Sequence, residues 1–292
     1  MSMIAAVIRS LRPGQWGKNV LVFAPLVFAQ QALQRVALLR SLAAFATFCL
    51  ASGAVYLVND LLDRASDREH PVKRRRPIAS GALSPAAAAA AAALTGTGAL
   101  LAAALLDRRL ALILGSYLFV NLAYSRVLKH LVILDVMTIA SGFVLRVVAG
   151  GVAAGVALSS WLLLCTSLLA LFLGFGKRRH ELVLLEGSAS SHRPILSEYS
   201  PYFLDQLIAV VTTSTLVTYA LYTMDPLVRQ KLGTTYLPLT IPFVLYGIFR
   251  YLYLVHQKQE GGDPSQIVFG DRPLLVDIVL WGATVLAILY LR

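Results

Sequence analysis

The chain has 292 residues, of which 58% are hydrophobic and only 14% are charged, and its formal net charge is +11. This composition excludes an ordinary soluble domain and is typical of a protein with several membrane spans. A cation surplus can also indicate nucleic-acid binding, but here the cations cluster in loops between apolar runs. Membrane orientation and anionic substrates explain that distribution better, so we expect no nucleic-acid partner.

Apolar runs of roughly 20 residues, the length of a helix that crosses a bilayer, recur along the whole chain. We predict an all-α fold in which nine transmembrane helices form one bundle, a single domain over residues 1–292. The boundary between the fifth and sixth runs, around Gly150 to Ser160, requires a very short turn. The predicted spans are approximately 16–33, 40–60, 84–106, 109–128, 132–154, 158–176, 205–225, 236–256 and 273–291.

Most of the 26 lysines and arginines fall in loops on the same side as the N-terminus. Because positively charged loops stay in the cytoplasm, we expect a multi-pass plasma-membrane protein whose N-terminus and active site are cytoplasmic. The basic N-terminal segment resembles a signal peptide, but an uncleaved first helix is preferred because many spans follow. The sequence allows a homo-oligomer without requiring one. The predicted cytoplasmic loops are about 60–83, 126–132, 177–204 and 257–272.

The strongest chemical signal lies in the segment YLVNDLLDRASDREHPVKRRRPIASG. On a helix, the spacing of Asp60, Asp63 and Asp67 places the three carboxylates within one narrow sector. Acids contribute little to membrane topology, and three of them repel one another unless a cation lies among them. Mg²⁺ prefers oxygen ligands and keeps waters and substrate phosphates in its shell. We therefore predict that these three aspartates bind Mg²⁺.

The basic run that follows the acids offers Lys73 and Arg76 as phosphate ligands, one as a point charge and one as a bidentate fork. Loop cations in membrane proteins usually indicate orientation only. We interpret this run as a phosphate-binding segment because it follows the three acids. The alternative is a helix end with loop charges that only set the membrane orientation.

A second polar segment, YSRVLKHLVILD, follows the fourth predicted span. Tyr124, Ser125 and Lys129 provide hydroxyl and ammonium donors close in sequence to Asp135. Arg146 follows Asp135 by eleven residues, about three helical turns, so both side chains can face the same interior. A buried arginine in a membrane helix indicates a functional site, and a structural ion pair between Asp135 and Arg146 is the alternative.

Three further cations are candidates for phosphate binding. Lys18 lies in RPGQWGKN, where it can equally mark the start of a helix, and Lys177 and Arg178 lie in GKRRHEL after the sixth span. The sequence contains no Walker loop, no GxGxxG dinucleotide motif, no CxxC and no GxSxG. Nucleotide-binding, thiol-redox and serine-hydrolase motifs are therefore absent from the sequence.

The segment NDLLDRASD matches the NDxxDxxxD signature of the UbiA superfamily of intramembrane prenyltransferases. Together with RPGQWGKN, YSRVLKH followed by LD, GFVLRVVAGG and GKRRHEL, it resembles the decaprenyl-phosphate phosphoribosyltransferase branch of that superfamily over nearly the whole chain. The resemblance implies transfer of 5-phosphoribose from phosphoribosyl diphosphate to a polyprenyl phosphate, with release of diphosphate. The product would be decaprenylphosphoryl-5-phosphoribose, a cell-wall arabinan precursor. It also implies catalytic roles for Asn59, Asp60, Asp63 and Asp67, with Mg²⁺ as cofactor.

One departure from the wider superfamily bears on the substrate. Most of its aromatic prenyltransferases carry a second acidic motif, DxxxD, on the fifth helix, whereas here Asp135 is followed four residues later by Ile139. Fewer acids and more cations suit a donor and an acceptor that bring additional phosphates. Two alternatives remain: an aromatic prenyltransferase that uses a prenyl diphosphate, and a non-enzymatic transporter or lipid-binding protein with intramembrane charges.

Overall fold

The structure is a computed structural model that describes residues 2–184, 194–258, 262 and 264–291. All regular secondary structure in the described residues is helical, which confirms the all-α prediction. Residues 185–193, 259–261 and 263 belong to predicted cytoplasmic loops and lie outside the described residues. The α-helices are α1 (Met3–Ser10), α2 (Ala24–Phe28), α3 (Arg35–Leu62), α4 (Arg64–Glu69), α5 (Pro85–Leu106), α6 (Arg108–Arg126), α7 (Leu134–Ala154), α8 (Ser160–Leu184), α9 (Pro201–Met224), α10 (Pro226–Leu232), α11 (Ile241–His256), α12 (Pro264–Gly270) and α13 (Arg272–Tyr290).

Backbone contacts divide the chain into two compact units. That residues 1–292 form a single domain stays a prediction. Unit 1 consists of Met1–Leu26, Gln31–Lys129 and Gly142–Leu158, and unit 2 of Val27–Gln30, His130–Ser141 and Ser159–Arg292.

Within the described residues, seven helical segments are long and apolar enough to cross a membrane. They are α3, α5, α7, α8, α9, Leu237–His256 and α13, and their bounds lie within a few residues of seven predicted spans, apart from α3 and α8, which run longer. The count of nine is not confirmed. The predicted fourth span is the helix α6, which does not reach the hydropathy of the other seven.

The predicted first span, 16–33, is not one continuous α-helix. Residues Pro13–Phe23 form a 3₁₀ helix, and the five-residue α2 follows. Proline in a helix interior removes one backbone hydrogen bond and clashes with the carbonyl group four residues earlier. Pro25 is therefore compatible with the first turn of α2 but not with an α-helix that already began near residue 16.

Several helix starts are determined by local sequence. The Ser84 hydroxyl accepts a hydrogen bond from the backbone N–H of Ala87, and Ser200 caps α9 in the same way. A proline follows each of these caps, where its missing N–H costs nothing. The turn expected between Gly150 and Ser160 is present: α7 ends at Ala154, Gly155 adopts a φ of +69°, and α8 begins at Ser160.

The core of unit 1 is built largely from small residues. Helix α3 packs against α5 and α6, and Ala44, Ala51 and Ala99 are fully buried along the contacts. Small side chains let helices approach closely in lipid. In α5, only 17% of the most apolar window is buried, so most of its alanine and leucine surface faces outward, as expected for contact with lipid. This packing fixes the end of α3, where the predicted site begins.

Candidate functional site

The three predicted metal ligands surround a break between two helices in unit 1. Asp60 lies in the last turn of α3, Asp63 is the residue at which α3 ends, and Asp67 lies in α4. The acids therefore do not share one uninterrupted helix. Asp60 and Asp67 are 2% and 3% exposed, respectively, whereas the side chain of Asp63 is 39% exposed.

One guanidinium group joins the two buried acids. The Nη1 atom of Arg76 donates to Asp60 Oδ1 at 3.1 Å and to Asp67 Oδ2 at 2.7 Å. Arg12 Nη2 donates to the same Asp60 oxygen at 2.5 Å, and the Arg12 guanidinium lies 4.8 Å from the ring centroid of Tyr56. Each carboxylate is thus buried with a cation, which removes much of the cost of burying its charge.

The third acid has a different partner. Lys129 Nζ lies 3.0 Å from Asp63 Oδ1, and the two side chains are 25% and 39% exposed, respectively. Lys129 belongs to the short 3₁₀ helix Leu128–His130, directly after α6. The structure therefore brings Asp60, Asp67 and Arg76 together in one cluster and places Asp63 and Lys129 in a more exposed ion pair.

The donor set suits a divalent cation only in part. Within the described ranges, no group of three or more His, Cys, Asp or Glu side chains lies close enough to hold a metal ion. Mg²⁺ needs fewer protein ligands, because it is usually bound by one or two carboxylates together with substrate phosphates. Asp60 and Asp67 both contact Arg76 Nη1, so these two carboxylates are the candidates for such a partial site.

Polar residues beside the acids continue the site. The Ser125 hydroxyl donates to the side-chain carbonyl of Asn59 and lies 2.8 Å from the Asn121 carbonyl. Lys18, Lys73 and Tyr124 also lie in unit 1, and all three are half-buried. Their roles in substrate binding stay predictions.

Arg146 is buried in unit 1 among neutral partners. Its Nε donates to Asn19 Oδ1 at 2.7 Å, its Nη1 to the Gly142 carbonyl at 2.7 Å and its Nη2 to Tyr117 Oη at 3.0 Å. The guanidinium also lies 4.8 Å from the centroid of the Tyr117 ring, an arrangement that stabilises a cation electrostatically. These contacts use three of the five N–H donors of the guanidinium, and the predicted substrate contact of Arg146 stays a prediction.

Asp135 forms its ion pair with Arg178 in unit 2, at 2.6 Å between Oδ2 and Nε. An ion pair between Asp135 and Arg146, the alternative to a substrate-binding role for these residues, does not form because each side chain contacts other residues. Eleven residues correspond to about 16 Å of helix rise, which is too far for direct contact even on a shared face.

The pair in unit 2 has further ligands. Arg178 Nη1 donates to Glu181 Oε2 at 2.6 Å, and Tyr199 Oη donates to Asp135 Oδ1 at 2.8 Å. Burial raises the pKa of Tyr199 to about 12, so this hydroxyl keeps its proton at neutral pH. Lys177 lies 3.9 Å from Glu181. The predicted substrate contacts of Asp135, Lys177 and Arg178 stay predictions.

Sequence reasoning missed four residues that organise these clusters: Arg12, Asn19, Tyr117 and Tyr199. Arg12 and Asn19 are the first and last residues of the segment RPGQWGKN, whose cations indicate membrane orientation. A polar side chain within an apolar run is the signal that could have identified Tyr117, whereas Asn19 stands at the border between a polar segment and an apolar run. Tyr199 carries no comparable signal, because its partner Asp135 is 64 residues away in the chain.

Comparisons with known proteins agree with this architecture. The model of the UbiA prenyltransferase family matches residues 20–270. The chain is similar to decaprenyl-phosphate phosphoribosyltransferase from Corynebacterium glutamicum, with 37% identity over 98% of this chain and 87% of that protein. It is also similar to the Mycolicibacterium smegmatis protein of the same name, with 34% identity over 99% of this chain and 94% of that protein.

A solved structure gives the same fold at lower sequence similarity. The structure of a UbiA homologue from Archaeoglobus fulgidus bound to GPP and Mg²⁺ matches with a TM-score of 0.72 at 18% identity. The match covers 97% of this chain and 99% of that one. The family model, the full-length relatives and the fold lead to one conclusion, which confirms the resemblance of the NDxxDxxxD segment: this chain belongs to the UbiA prenyltransferase family.

Proposed function

We propose that this protein transfers 5-phosphoribose from phosphoribosyl diphosphate to a polyprenyl phosphate and releases diphosphate. The observation that carries the proposal is the set of cations around the buried acids of unit 1, in a chain similar over its length to decaprenyl-phosphate phosphoribosyltransferases. Arg12, Arg76 and Lys129 each pair with at least one of the three aspartates. With Mg²⁺ held by the aspartates, these cations would contact the diphosphate and the 5-phosphate of the donor.

Asp60 and Asp67 would hold Mg²⁺, with Asp63 as the third predicted ligand. When bound, this ion would neutralise charge on the leaving diphosphate. Arg76 holds both buried carboxylates in place until the donor arrives, and its side chain is 27% exposed. It can therefore turn toward a phosphate while the carboxylates take a new partner.

Arg12, Arg76, Lys73 and Lys129 would bind the two phosphate-bearing ends of the donor. The bond between C1 of the ribose and the diphosphate oxygen breaks, and its electron pair leaves with the diphosphate. Guanidinium and ammonium groups that are already positioned stabilise the charge that develops on the leaving group.

A phosphate oxygen of the acceptor lipid then forms the new bond to C1. This oxygen is already anionic, so the reaction needs no strong general base and depends chiefly on positioning. Ser125 and Tyr124 offer hydroxyl groups for that purpose, and the hydrogen bond from Ser125 orients Asn59.

The seven apolar helices of the described residues account for seven membrane crossings. We place two further crossings at α6 and at residues 13–28, which makes nine, and we place the acid cluster on the cytoplasmic side of the plasma membrane. The acceptor would be decaprenyl phosphate and the product a precursor of cell-wall arabinan. A single cysteine placed in each loop tests the orientation, because a membrane-impermeant thiol reagent would label extracytoplasmic loops in intact cells and cytoplasmic loops only after the cells are opened.

A direct assay tests the reaction. Purified protein is incubated with phosphoribosyl diphosphate, a polyprenyl phosphate and Mg²⁺, and the phosphoribosyl lipid is measured by mass spectrometry alongside released diphosphate. Chelation of the metal should abolish the product, and added Mg²⁺ should restore it. Product from a prenyl diphosphate and an aromatic acceptor, with none from phosphoribosyl diphosphate, would replace this proposal with the aromatic prenyltransferase alternative.

A further inference from the structure

A cavity of about 520 Å³ lies in unit 2, between the short helix α10, the turn that follows it and the C-terminal end of α13. Its volume falls within the range of about 300–1,000 Å³ that is typical of ligand pockets. The described residues that line it all belong to unit 2, whereas the acid cluster belongs to unit 1. We propose that this cavity binds a phosphate group, with Arg229 as the cation and threonine hydroxyls as further donors. The inference goes beyond the proposed reaction and does not depend on it.

Arg229 brings a guanidinium group without a carboxylate partner into the lining. Its Nε donates to the Thr223 carbonyl at 3.5 Å, at the end of α9. Within the described residues it forms no ion pair, and its two Nη atoms form no hydrogen bond. The described lining also contains no acid. Four of the five N–H donors of this guanidinium therefore remain available to an anion in the cavity.

The turn after α10 adds hydroxyl groups to the same lining. Gly233 has a φ of +62°, and the N–H of Thr234 donates to the Arg229 carbonyl at 3.1 Å, so the chain folds back over the end of α10. Thr234 is only 5% exposed, and its Oγ1 accepts from the N–H of Tyr236 at 3.2 Å. Among the described residues its own proton has no acceptor. A buried donor without an acceptor is costly, and a phosphate oxygen would satisfy it. The hydroxyl group of Thr235 lies in the same lining and is more exposed.

The cavity lies where three apolar segments of unit 2 have their ends. Helices α9 and α13 both end here, and the segment Leu237–His256 begins directly after the lining residue Tyr236. Ile288 and Leu291 form an apolar wall, and Leu291 is exposed. Polar donors on one side and an apolar wall on the other suit an amphipathic ligand at a membrane surface, such as a phospholipid with its phosphate at Arg229.

The predicted orientation favours the same source of phosphate. The other ends of α9 and α13 adjoin the predicted cytoplasmic loops 177–204 and 257–272, so the cavity would lie on the outer side of the membrane. Phosphate-bearing metabolites of the cytoplasm would not reach it there. A lipid headgroup is therefore the source that we expect, and free phosphate is the alternative.

A binding assay distinguishes the two sources. Phosphatidylglycerol with a fluorescent acyl chain is added to the purified full-length protein in a neutral detergent, and its Kd is measured by fluorescence anisotropy. Displacement by unlabelled phosphatidylglycerol but not by inorganic phosphate would identify a lipid headgroup, whereas displacement by both would show that phosphate alone is sufficient. Equal displacement by diacylglycerol, which has the chains without the phosphate, would overturn the inference.

Two cations of α10 provide a matched pair of variants. Arg229→Met removes the lining cation, and the Kd should rise about 10- to 100-fold through loss of charge-assisted hydrogen bonds. Lys231→Met removes an exposed cation that does not line the cavity, and the Kd should change by less than about twofold. Equal effects of both variants would show only general attraction to a basic surface and would overturn the inference.

A second pair changes the shape of the cavity without changing charge. Ala287→Phe fills the cavity and should raise the Kd at least about tenfold, while Ala283→Phe, one turn earlier on α13 and outside the lining, should change it by less than about twofold. Melting temperatures in detergent, expected to stay close to that of the wild type, show which variants are folded. Wild-type binding by folded Arg229→Met and Ala287→Phe would exclude the cavity as the site.

Discussion

Two clusters of aspartate and arginine use the same residue types but differ in how far their cations are exposed. In unit 1, Asp60 pairs with Arg12 and Arg76, whose side chains are 29% and 27% exposed. In unit 2, Asp135 pairs with Arg178, and the two side chains are 0% and 2% exposed. Cations at the edge of a cluster can exchange partners when a phosphate arrives, whereas a fully enclosed cation cannot do so without disrupting its surroundings.

The charged groups of unit 2 are also more completely surrounded by polar partners. Arg178 is held between the carboxylates of Asp135 and Glu181, and the second oxygen of Asp135 accepts from Tyr199. A buried pair that is satisfied on all sides supports structure, and removing one partner leaves an uncompensated charge. We infer that the cluster of unit 2 stabilises the fold and that the cluster of unit 1 acts in the reaction, and the following changes test that division.

The largest expected effect is on stability in unit 2. Arg178→Met removes the guanidinium and leaves the Asp135 carboxylate buried without a cation, which should lower the free energy of unfolding by about 3–5 kcal/mol. Denaturation in detergent micelles measures the change. The matched variant Arg12→Met should lose much less stability, because Asp60 keeps Arg76 as a partner, and should lose activity instead. Equal destabilisation by both variants would remove the distinction between the clusters.

The next effect is on catalysis in unit 1. Asp60→Asn keeps the size of the side chain but removes its charge, and phosphoribosyl transfer should fall by about 10²- to 10³-fold. The measurement is kcat at saturating Mg²⁺ and donor. Asp107→Asn is the control: this residue caps α6, a role that asparagine performs equally well, and its activity should stay within about twofold of wild type. Full activity of Asp60→Asn would exclude the proposed metal ligand.

The same comparison explains which features could be predicted from sequence. Long apolar runs are local signals, so most of the long helices were predicted within a few residues of their bounds. The first predicted span is not one continuous α-helix, and this was not predicted because hydropathy does not register the effect of Pro25 on helix geometry. The spacing of Asp60, Asp63 and Asp67 predicted three carboxylates on one helix face, whereas the break between α3 and α4 leaves Asp60 and Asp67 sharing Arg76 and Asp63 paired with Lys129.

Partners from distant segments could not be predicted in this way. Arg12 lies 48 residues before Asp60, and Arg178 lies 43 residues after Asp135, separations that only tertiary packing brings into contact. A same-face argument for Asp135 and Arg146 considered the direction of the side chains but not the rise between them. The sequence therefore indicated which residues carry charge, and packing determined which of them are paired.

A smaller effect is expected where the cluster of unit 1 is most exposed. Lys129→Met removes the partner of Asp63, and exposed ion pairs contribute little to stability, so the melting temperature should stay close to that of wild type. If Lys129 binds a phosphate of the donor, the KM for phosphoribosyl diphosphate should rise about 10- to 100-fold through loss of a charge-assisted hydrogen bond. Lys129→Arg should recover part of the loss. An unchanged KM would limit the role of Lys129 to its pair with Asp63.

The smallest effect concerns a single hydroxyl in unit 2. Tyr199→Phe removes the donor to Asp135 and the acceptor for the backbone N–H of Ile133, which lies 2.6 Å from Tyr199 Oη. Because Asp135 keeps Arg178, the loss of stability should be about 1 kcal/mol, less than that for Arg178→Met. Tyr199 has its pKa raised to about 12 from an ordinary value of 10.0. Its stabilising contribution is therefore complete below pH 10 and decreases as the pH rises toward 12. Denaturation of wild type and Tyr199→Phe at pH 8 and pH 11 should show a smaller difference at the higher pH, and a difference that grows with pH would contradict a buried, protonated hydroxyl at this position.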